Sequence, residues 1–536
     1  MPQKMEINKF PRLFKLIRIL AMLFFIFFTV EVSIRLPVWG DEYFTYKVSI
    51  LPLKEGIQTA LNDAHPPLYW IFSHWVVSYG NAIHPIRLFS VLGTLGFLMM
   101  MSLLISHYYS KEDFRNILLL IFVLIASTSP FILLFMPMAR YYWLVTFFTI
   151  CSLGFKLDSK GGWFYIICVI IFDTLLLYTN FLAGLILLGG NIYLLTRKRK
   201  VFSHLQHLLI WILPWLFFSP IIGYFTRAIT KLSTQDIFKA DFGAGLKGFI
   251  VRILYSLHVF VSGEFIYPWQ PSGIIMLVLA IYLLYRFIRY GPSELKSLLG
   301  WGILMPALLT IIGSVALFSL GMEFLPPRIA FAQPFLLLAI AIGLGTVQSR
   351  LFRFSLLILF LLGNLHADYN LAKRENFLHS TYIIPWEQIL ADIKEMRQEE
   401  YEKLIWLIQQ QERWDSSSYS ASDLKKIEND AIVYDDEAFM YYLEKEGFQN
   451  KAFNVSSAKL TEIEFYQRIW VVFSPKDITP DQKLSNFLDS LKKAGYAEIR
   501  HEYYLEEKES ARRIKEKLLG RPISQYKKEL ILFESP

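Results

Sequence analysis

The feature that most constrains this chain is a series of apolar segments, each about as long as a membrane-spanning helix. A helix needs about 20 mostly apolar residues to cross the hydrocarbon core of a bilayer. Such segments occur near 16–36, 85–106, 116–135, 140–157, 163–178, 181–195, 205–224, 271–288, 297–319, 329–347 and 353–366. The pattern predicts a polytopic α-helical membrane protein with about 11 transmembrane helices.

Composition supports the same class and excludes another. Hydrophobic residues make up 54% of the 536 positions and charged residues 19%, whereas roughly 25% is charged in an average soluble domain. The net charge of +8 does not indicate nucleic-acid binding, because Lys and Arg occur in short clusters between apolar segments instead of one basic patch. The expected partner is the lipid bilayer. Cys151 and Cys168 form no disulfide framework and no zinc ligand set.

The basic clusters also predict an orientation. If the N-terminus is cytoplasmic, every predicted inner loop is basic, as the positive-inside rule requires; these loops are Lys111–Arg115, Lys156–Lys160, Arg197–Lys200, Arg286–Lys296 and Arg350–Arg353. The first helix has no small-residue cleavage site and is predicted to stay uncleaved. An odd number of helices then puts the C-terminal end outside. We expect a protein of the bacterial-type plasma (inner) membrane.

The character of the chain changes near His366, where charged residues become frequent. Short β-type runs alternate there with amphipathic stretches, namely Lys403–Ile408, Ala431–Tyr434, Asp436–Lys445, Arg468–Ser474, Asp481–Lys493 and Glu529–Phe533. The sequence therefore predicts a transmembrane domain over 1–366 and an extracytoplasmic α/β domain over 367–536. Two long outer segments, 37–85 and 225–270, mix apolar and charged residues, which favours helices lying in the membrane interface.

Two short motifs in the first outer segment are candidates for chemistry. Asp41-Glu42 follows the first apolar segment, and His65-Pro66-Pro67 follows after a spacer. Carboxylates in such a place are often exposed helix-end charges, and a single histidine is often only an interfacial residue. The two prolines fix φ twice and predict a rigid, non-helical turn that would hold His65.

Other ionisable residues are predicted on the same side of the membrane. Arg140 and Arg328 each open an apolar segment, and His258 and Glu264 lie in the second long outer segment. Each arginine alone is explained as an interfacial anchor. Their predicted location on the same side of the membrane favours a functional cavity, because ionisable residues at membrane depth are rare.

These motifs resemble the membrane glycosyltransferases of the GT-C fold, in particular family 39, which includes protein O-mannosyltransferases and lipid A aminoarabinose transferases. The matching stretches are Asp41-Glu42, His65 to Tyr69, Arg140-Tyr141, Arg328 to Pro334 and, more loosely, Pro85 to Leu88. Relatives often carry His-Tyr in place of Thr179-Asn180 and Arg-Tyr in place of Arg328-Ile329. These departures leave the donor sugar and the acceptor open.

The resemblance implies transfer of a sugar from a polyprenyl-phosphate donor to a hydroxyl acceptor, with inversion, at the outer face of the membrane. In this reading Asp41 is the base and Glu42 supports it. Arg140, Tyr141 and Arg328 bind the donor phosphate. A divalent metal ion (Mg, Mn or Zn) is open as a cofactor, with His65, His258 and Glu264 as candidate ligands, because some relatives use a metal and others do not.

Two alternatives from other classes remain. A lipid or glycolipid transporter would also be polytopic, but transporters usually carry polar residues near the bilayer centre, often in repeated halves. This chain has its charges at helix ends and shows no repeat. A membrane scaffold presenting the C-terminal domain would make the two motifs coincidental.

Overall fold

A computed structural model provides the structure of the chain. It describes residues 11–63, 65–80, 82–158, 162–196, 203–233, 245–316, 326–379, 382–397, 430–434, 437–454, 466, 468–473, 482–504, 508–519 and 528–535. The chain divides into two compact units. The first unit comprises Met1–Arg35 and Phe44–Leu378, and the second comprises Leu36–Tyr43 and His379–Pro536.

The first unit is helical. Its elements are α1 Pro11–Arg35, α2 Gly40–Ser49 (which begins in the second unit), α3 Leu53–Asn62, α4 Leu68–Val77, α5 Ile83–Tyr108, α6 Glu112–Ser127, α7 Pro130–Phe135, α8 Tyr142–Asp158, α9 Trp163–Thr179, α10 Ala183–Thr196, α11 His204–Ser233, α12 Gly245–Ser262, α13 Pro271–Tyr290, α14 Ser293–Leu299, a π turn Gly300–Leu304, α15 Met305–Ala316, a 3-10 helix Pro326–Ala332, α16 Gln333–Gly345 and α17 Arg350–Lys373.

Within the described residues, seven helices are long and apolar enough to cross a membrane. The chain is therefore an integral membrane protein, as its composition predicted. The predicted spans near 140–157, 163–178 and 181–195 correspond to shorter apolar helices, α8, α9 and α10. Asn180 separates α9 from α10 and accepts a hydrogen bond from the Leu182 backbone N–H at 2.8 Å.

The predicted span 116–135 is not one helix. It consists of α6 and α7, which are interrupted at Thr128-Ser129. Pro130 explains the break, because its ring lacks an N–H and clashes with the preceding turn of a continuing helix. Pro130 occupies the first turn of α7 instead, where a helix tolerates it. The two long segments that were predicted to lie outside contain helices, namely α2, α3 and α4 in the first and α12 in the second.

Lys156 is not a cytoplasmic loop charge, as the orientation argument assumed. It lies in α8 and is fully buried, with Nζ 2.8 Å from Asp173 Oδ2 on α9. Ser152 Oγ donates a further hydrogen bond to Asp173 Oδ1 at 2.5 Å. The carboxylate and the ammonium thus satisfy one another between two helices. The predicted loop Arg197–Lys200 lies outside the described residues.

This pair leads to a stability prediction. Lys156→Met leaves the Asp173 carboxylate buried without its cation, which should lower the free energy of unfolding by about 3–5 kcal/mol. The double variant Lys156→Met/Asp173→Leu should recover most of this loss, because no buried charge remains. Thermal unfolding in detergent measures both. A double variant no more stable than Lys156→Met would contradict the account.

The second unit contains a five-stranded sheet in the order β2-β1-β3-β5-β4. The strands are β1 Asp430–Tyr434, β2 Ala452–Asn454, β3 Arg468–Phe473, β4 Ala497–Tyr503 and β5 Glu529–Glu534. β1 pairs in parallel with β2 and β3, whereas β5 is antiparallel to β3 and β4. The same unit contains three helices, Ala438–Lys445, Gln482–Lys493 and Glu509–Leu519. The predicted α/β character of the tail is confirmed.

The central strands and the edge strand β4 differ in how well the sequence predicted them. The apolar runs corresponding to β1, β3 and β5 are buried in the sheet. β4 was missed because it is a largely exposed edge strand with charged residues at alternate positions, a pattern that protects sheet edges but hides a strand. The predicted run Lys403–Ile408 lies outside the described residues.

Candidate active site

The predicted catalytic pair lies in the first turn of α2. The backbone N–H groups of Glu42 and Tyr43 donate to the Trp39 carbonyl oxygen at 2.9 and 3.0 Å, which closes this first turn. Asp41 is half-buried, and Glu42 is fully buried. Carboxylates are favoured at this end of a helix, because the free N–H groups and the helix dipole present positive charge there. The sequence predicted two loop carboxylates, and the structure puts both on a helix.

His65 occupies the turn between α3 and α4. Its backbone N–H donates to the Ala60 carbonyl oxygen at 2.9 Å, which ties the turn to the end of α3. Aromatic rings surround the imidazole, with centroids of Phe44, Trp70 and Tyr141 at 5.8, 5.5 and 6.1 Å. The turn expected from Pro66-Pro67 therefore packs His65 against an aromatic wall. Its side chain stays 22% exposed, and its Nε2 lies 3.5 Å from Asp63 Oδ2.

Arg140 and Tyr141 lie immediately before α8 and belong to the same cluster. The guanidinium of Arg140 is buried, and its carbon lies 5.3 Å from the centroid of the Tyr141 ring. Arg140 Nη1 also lies 3.5 Å from Thr45 Oγ1 on α2. Thr45 is four residues after Asp41, and positions four apart share a face of a helix.

Arg328 lies in the 3-10 helix Pro326–Ala332 and is half-buried. It makes no hydrogen bond or ion pair with any other residue that the structure describes. Burial lowers the pKa of His65 to about 3, and the positive charges of Arg140 and Arg328 add to this effect. The imidazole is therefore neutral at physiological pH. The charges of both guanidiniums disfavour its protonated form. The structure thus brings Arg140, Tyr141 and His65 together, and Arg328 acts on the same imidazole through its charge.

The lowered pKa of His65 predicts a pH dependence. Unfolded chains protonate histidine near pH 6.5, whereas the folded protein keeps His65 neutral down to about 3. Stability should therefore fall as the pH drops below 6.5, by up to about 1.4 kcal/mol per unit from this residue. His65→Gln should reduce the loss of melting temperature between pH 7 and 4.5. An equal loss in both proteins would refute the assignment.

The three predicted metal ligands do not form a metal site. His258 Nε2 lies 2.8 Å from the Ile266 carbonyl oxygen, and Glu264 Oε1 accepts a hydrogen bond from the Tyr255 hydroxyl at 2.8 Å. Across the part of the chain that the structure describes, no three His, Cys, Asp or Glu side chains are grouped to hold a metal ion. His258 and Glu264 instead stabilise the turn after α12.

Two residues of the cluster escaped the sequence reasoning. Phe44 and Thr45 follow the acidic pair directly, but an aromatic residue and a threonine in an apolar context carry no distinctive signal. The helical period of α2 would have placed both beside Asp41 and Glu42. Arg87, part of the looser motif match, is buried and donates through Nη1 to the Ser33 carbonyl oxygen at 2.9 Å. This bond joins α5 to α1.

Comparison with known proteins gives similarity at the level of structure alone. No protein-family description and no curated protein matches the chain. ArnT from Cupriavidus metallidurans bound to undecaprenyl phosphate is 10% identical, with a TM-score of 0.48, and the match covers 96% of this chain and 97% of ArnT. The archaeal oligosaccharyltransferase AglB from Archaeoglobus fulgidus, in complex with an inhibitory peptide and a dolichol-phosphate, is 12% identical, with a TM-score of 0.41 and coverage of 91% and 73%.

Similarity at this level assigns neither a substrate nor a role to any residue of this chain.

Proposed function

We propose that this protein is an inverting membrane glycosyltransferase that takes a sugar from a polyprenyl-phosphate donor. The observation that carries the proposal is the grouping of the buried Arg140 guanidinium with the Tyr141 ring and the His65 imidazole. The positive charge of Arg328 also acts on this imidazole. A buried guanidinium grouped with a neutral imidazole, with the charge of a second arginine acting on the same imidazole, favours an anion. Guanidinium pairs with phosphate oxygens through two parallel hydrogen bonds. A polyprenyl phosphate suits such a site because its tail stays in lipid while its charged head stands at the membrane edge.

The aromatic wall supports the same donor. Phe44, Trp70 and Tyr141 surround His65 with ring faces and edges. Such surfaces pack against the apolar faces of a sugar or the first isoprene units, and they exclude water from the phosphate. Exclusion of water strengthens the attraction between the guanidiniums and the phosphate.

The chemistry needs a base for the acceptor and a cation for the leaving group. The acceptor hydroxyl gives its proton to the Asp41 carboxylate as its oxygen bonds to the anomeric carbon. The bond from that carbon to the phosphate oxygen breaks on the opposite side, so the configuration inverts. The departing phosphate keeps the electron pair, and Arg140 and Arg328 stabilise its charge. It needs no strong general acid, because a phosphate monoester is already a stable anion.

The proposed site lies at the outer face of a plasma membrane. This placement follows from the cytoplasmic N-terminus that the basic segments predict, and it puts the second unit outside the cell as well. The acceptor is a hydroxyl of a protein, a glycolipid or an envelope polysaccharide.

A binding experiment tests the anion site directly. Purified protein in lipid nanodiscs is titrated with undecaprenyl phosphate and, as the matched ligand, with undecaprenol. We expect the phosphate to bind at least about 10-fold more tightly, since charge-assisted hydrogen bonds contribute about 1.5–3 kcal/mol each. Equal affinity for the two lipids would remove the basis of the proposal.

A further inference from the structure

We propose that Tyr442 and Glu444 of the second unit are positioning residues that fix the first turn of α2, and with it Asp41. The catalytic consequence rests on the function proposed above, whereas the structural part does not. Leu36–Tyr43 belongs to the same compact unit as the C-terminal residues. A part of the chain about 400 residues away in sequence thus holds the segment that bears the acidic pair.

The first link is a hydrogen bond to the backbone. The N–H of Val38 donates to the hydroxyl oxygen of Tyr442 at 2.8 Å, and both residues are buried. Val38 lies between α1 and α2, where no helix provides an acceptor for this group. An unsatisfied buried N–H is costly, so this bond favours one backbone conformation just before Asp41.

The second link holds the helix itself. The Tyr43 hydroxyl donates to Glu444 Oε1 at 3.0 Å. Burial, together with the negative charge of Glu444, raises the pKa of Tyr43, so the phenol keeps its proton and continues to donate. Tyr43 is two residues after Asp41, and a bond from its side chain restricts rotation of the first turn.

The helix that carries both partners is packed against a buried core. Tyr442 and Glu444 lie in the helix Ala438–Lys445, whose Phe439 is fully buried and stacks on Trp386 at 5.2 Å. Trp39, the residue before α2, makes an edge-to-face contact with Tyr382, with ring centroids 5.1 Å apart. Three separate contacts therefore restrain the five residues from Trp39 to Tyr43 and the residue before them.

Such restraint matters for a base. A catalytic group displaced by about 1 Å loses roughly 100-fold in rate, and the first turn of a helix is where helices fray. Tyr442 and Glu444 are not expected to touch either substrate. Their removal should lower kcat and leave the KM for the donor nearly unchanged.

The experiment combines hydrogen exchange with kinetics on the full chain in detergent or nanodiscs. The test variants are Tyr442→Phe, Tyr43→Phe and Glu444→Leu, with Glu444→Gln as the conservative variant that keeps an acceptor oxygen. The matched control is Glu446→Gln, which removes the exposed ion pair with Lys394 from the same helix end. Amide exchange is followed in a peptide covering 36–46 by mass spectrometry.

We expect exchange in this peptide to accelerate about five- to tenfold in the first three variants, as loss of one hydrogen bond implies. It should stay at the wild-type rate in Glu446→Gln and nearly so in Glu444→Gln. The kcat for sugar transfer should fall about 10- to 100-fold in the same three variants. The Tyr43→Phe/Glu444→Leu double variant should be no worse than the single variants, because both remove one interaction.

Unchanged exchange in Tyr442→Phe and Glu444→Leu would overturn the proposal, and so would faster exchange with an unaltered kcat. A wild-type protein that transfers no sugar would instead refute the proposed function. The exchange measurement would still decide whether the second unit holds this segment.

Discussion

Asp41→Asn should lower turnover by roughly 100-fold or more, because it deletes the base while keeping the shape and hydrogen bonding of the side chain. Asp41 lies in the first turn of α2, one helical turn before Thr45, which Arg140 approaches to 3.5 Å. Binding of undecaprenyl phosphate should stay close to normal, since the proposed site binds the phosphate through the arginines and not through Asp41. Initial rates at saturating donor measure the effect.

Related substitutions sharpen this prediction. Asp41→Glu should keep partial activity, because the base survives but is displaced by a methylene group. Glu55→Gln is the matched control, an exposed carboxylate on α3 for which we expect wild-type rates. If purified, folded Asp41→Asn turned over as fast as the wild type, Asp41 would be only a helix-end charge.

Arg140→Lys and Arg328→Lys should each weaken donor binding by about 10- to 100-fold. Lysine keeps the positive charge but cannot make the two parallel hydrogen bonds of a guanidinium to phosphate. The protein should remain folded, and the affinity for uncharged undecaprenol should not change. Titration with undecaprenyl phosphate measures the loss. Arg350→Lys, at an exposed arginine that begins α17, serves as the control.

The opposite result is equally informative. Wild-type affinity for undecaprenyl phosphate in both lysine variants would reduce the two arginines to interfacial anchors. The lowered pKa of His65 would then reflect only burial and neighbouring charge, and it would not mark a binding site for phosphate.

Much of the helical architecture could be predicted because it depends on local composition. Long apolar runs such as those of α1, α5 and α13 are recognised as spans by their length and hydropathy. The break at Pro130 was missed because hydropathy does not register a lost hydrogen bond. Lys156 was read as a loop charge because its neutralising partner, Asp173, lies on another helix, and pairing between helices leaves no local signal.

The candidate site could be predicted in part, because several of its residues belong to short local motifs. Asp41, His65, Arg140 and Arg328 each stand at a recognisable position in the sequence. The structure groups His65 and Arg140 around Tyr141, and the charge of Arg328 acts on His65. The candidate metal ligands are not grouped among the described residues, where His258 and Glu264 contact the Ile266 carbonyl and the Tyr255 hydroxyl. The bond from Val38 to Tyr442 spans 404 residues, and no periodicity or motif could have indicated it.

One measurement tests the central claim most directly. Membranes containing the wild-type protein or Asp41→Asn are incubated with a panel of polyprenyl-phosphate sugars labelled in the sugar. The account predicts that wild-type membranes consume at least one donor, releasing polyprenyl phosphate and labelling an acceptor, and that Asp41→Asn membranes do so at about 1% of that rate or less. Equal consumption in both membranes, or movement of intact donor across vesicles without cleavage, would contradict it.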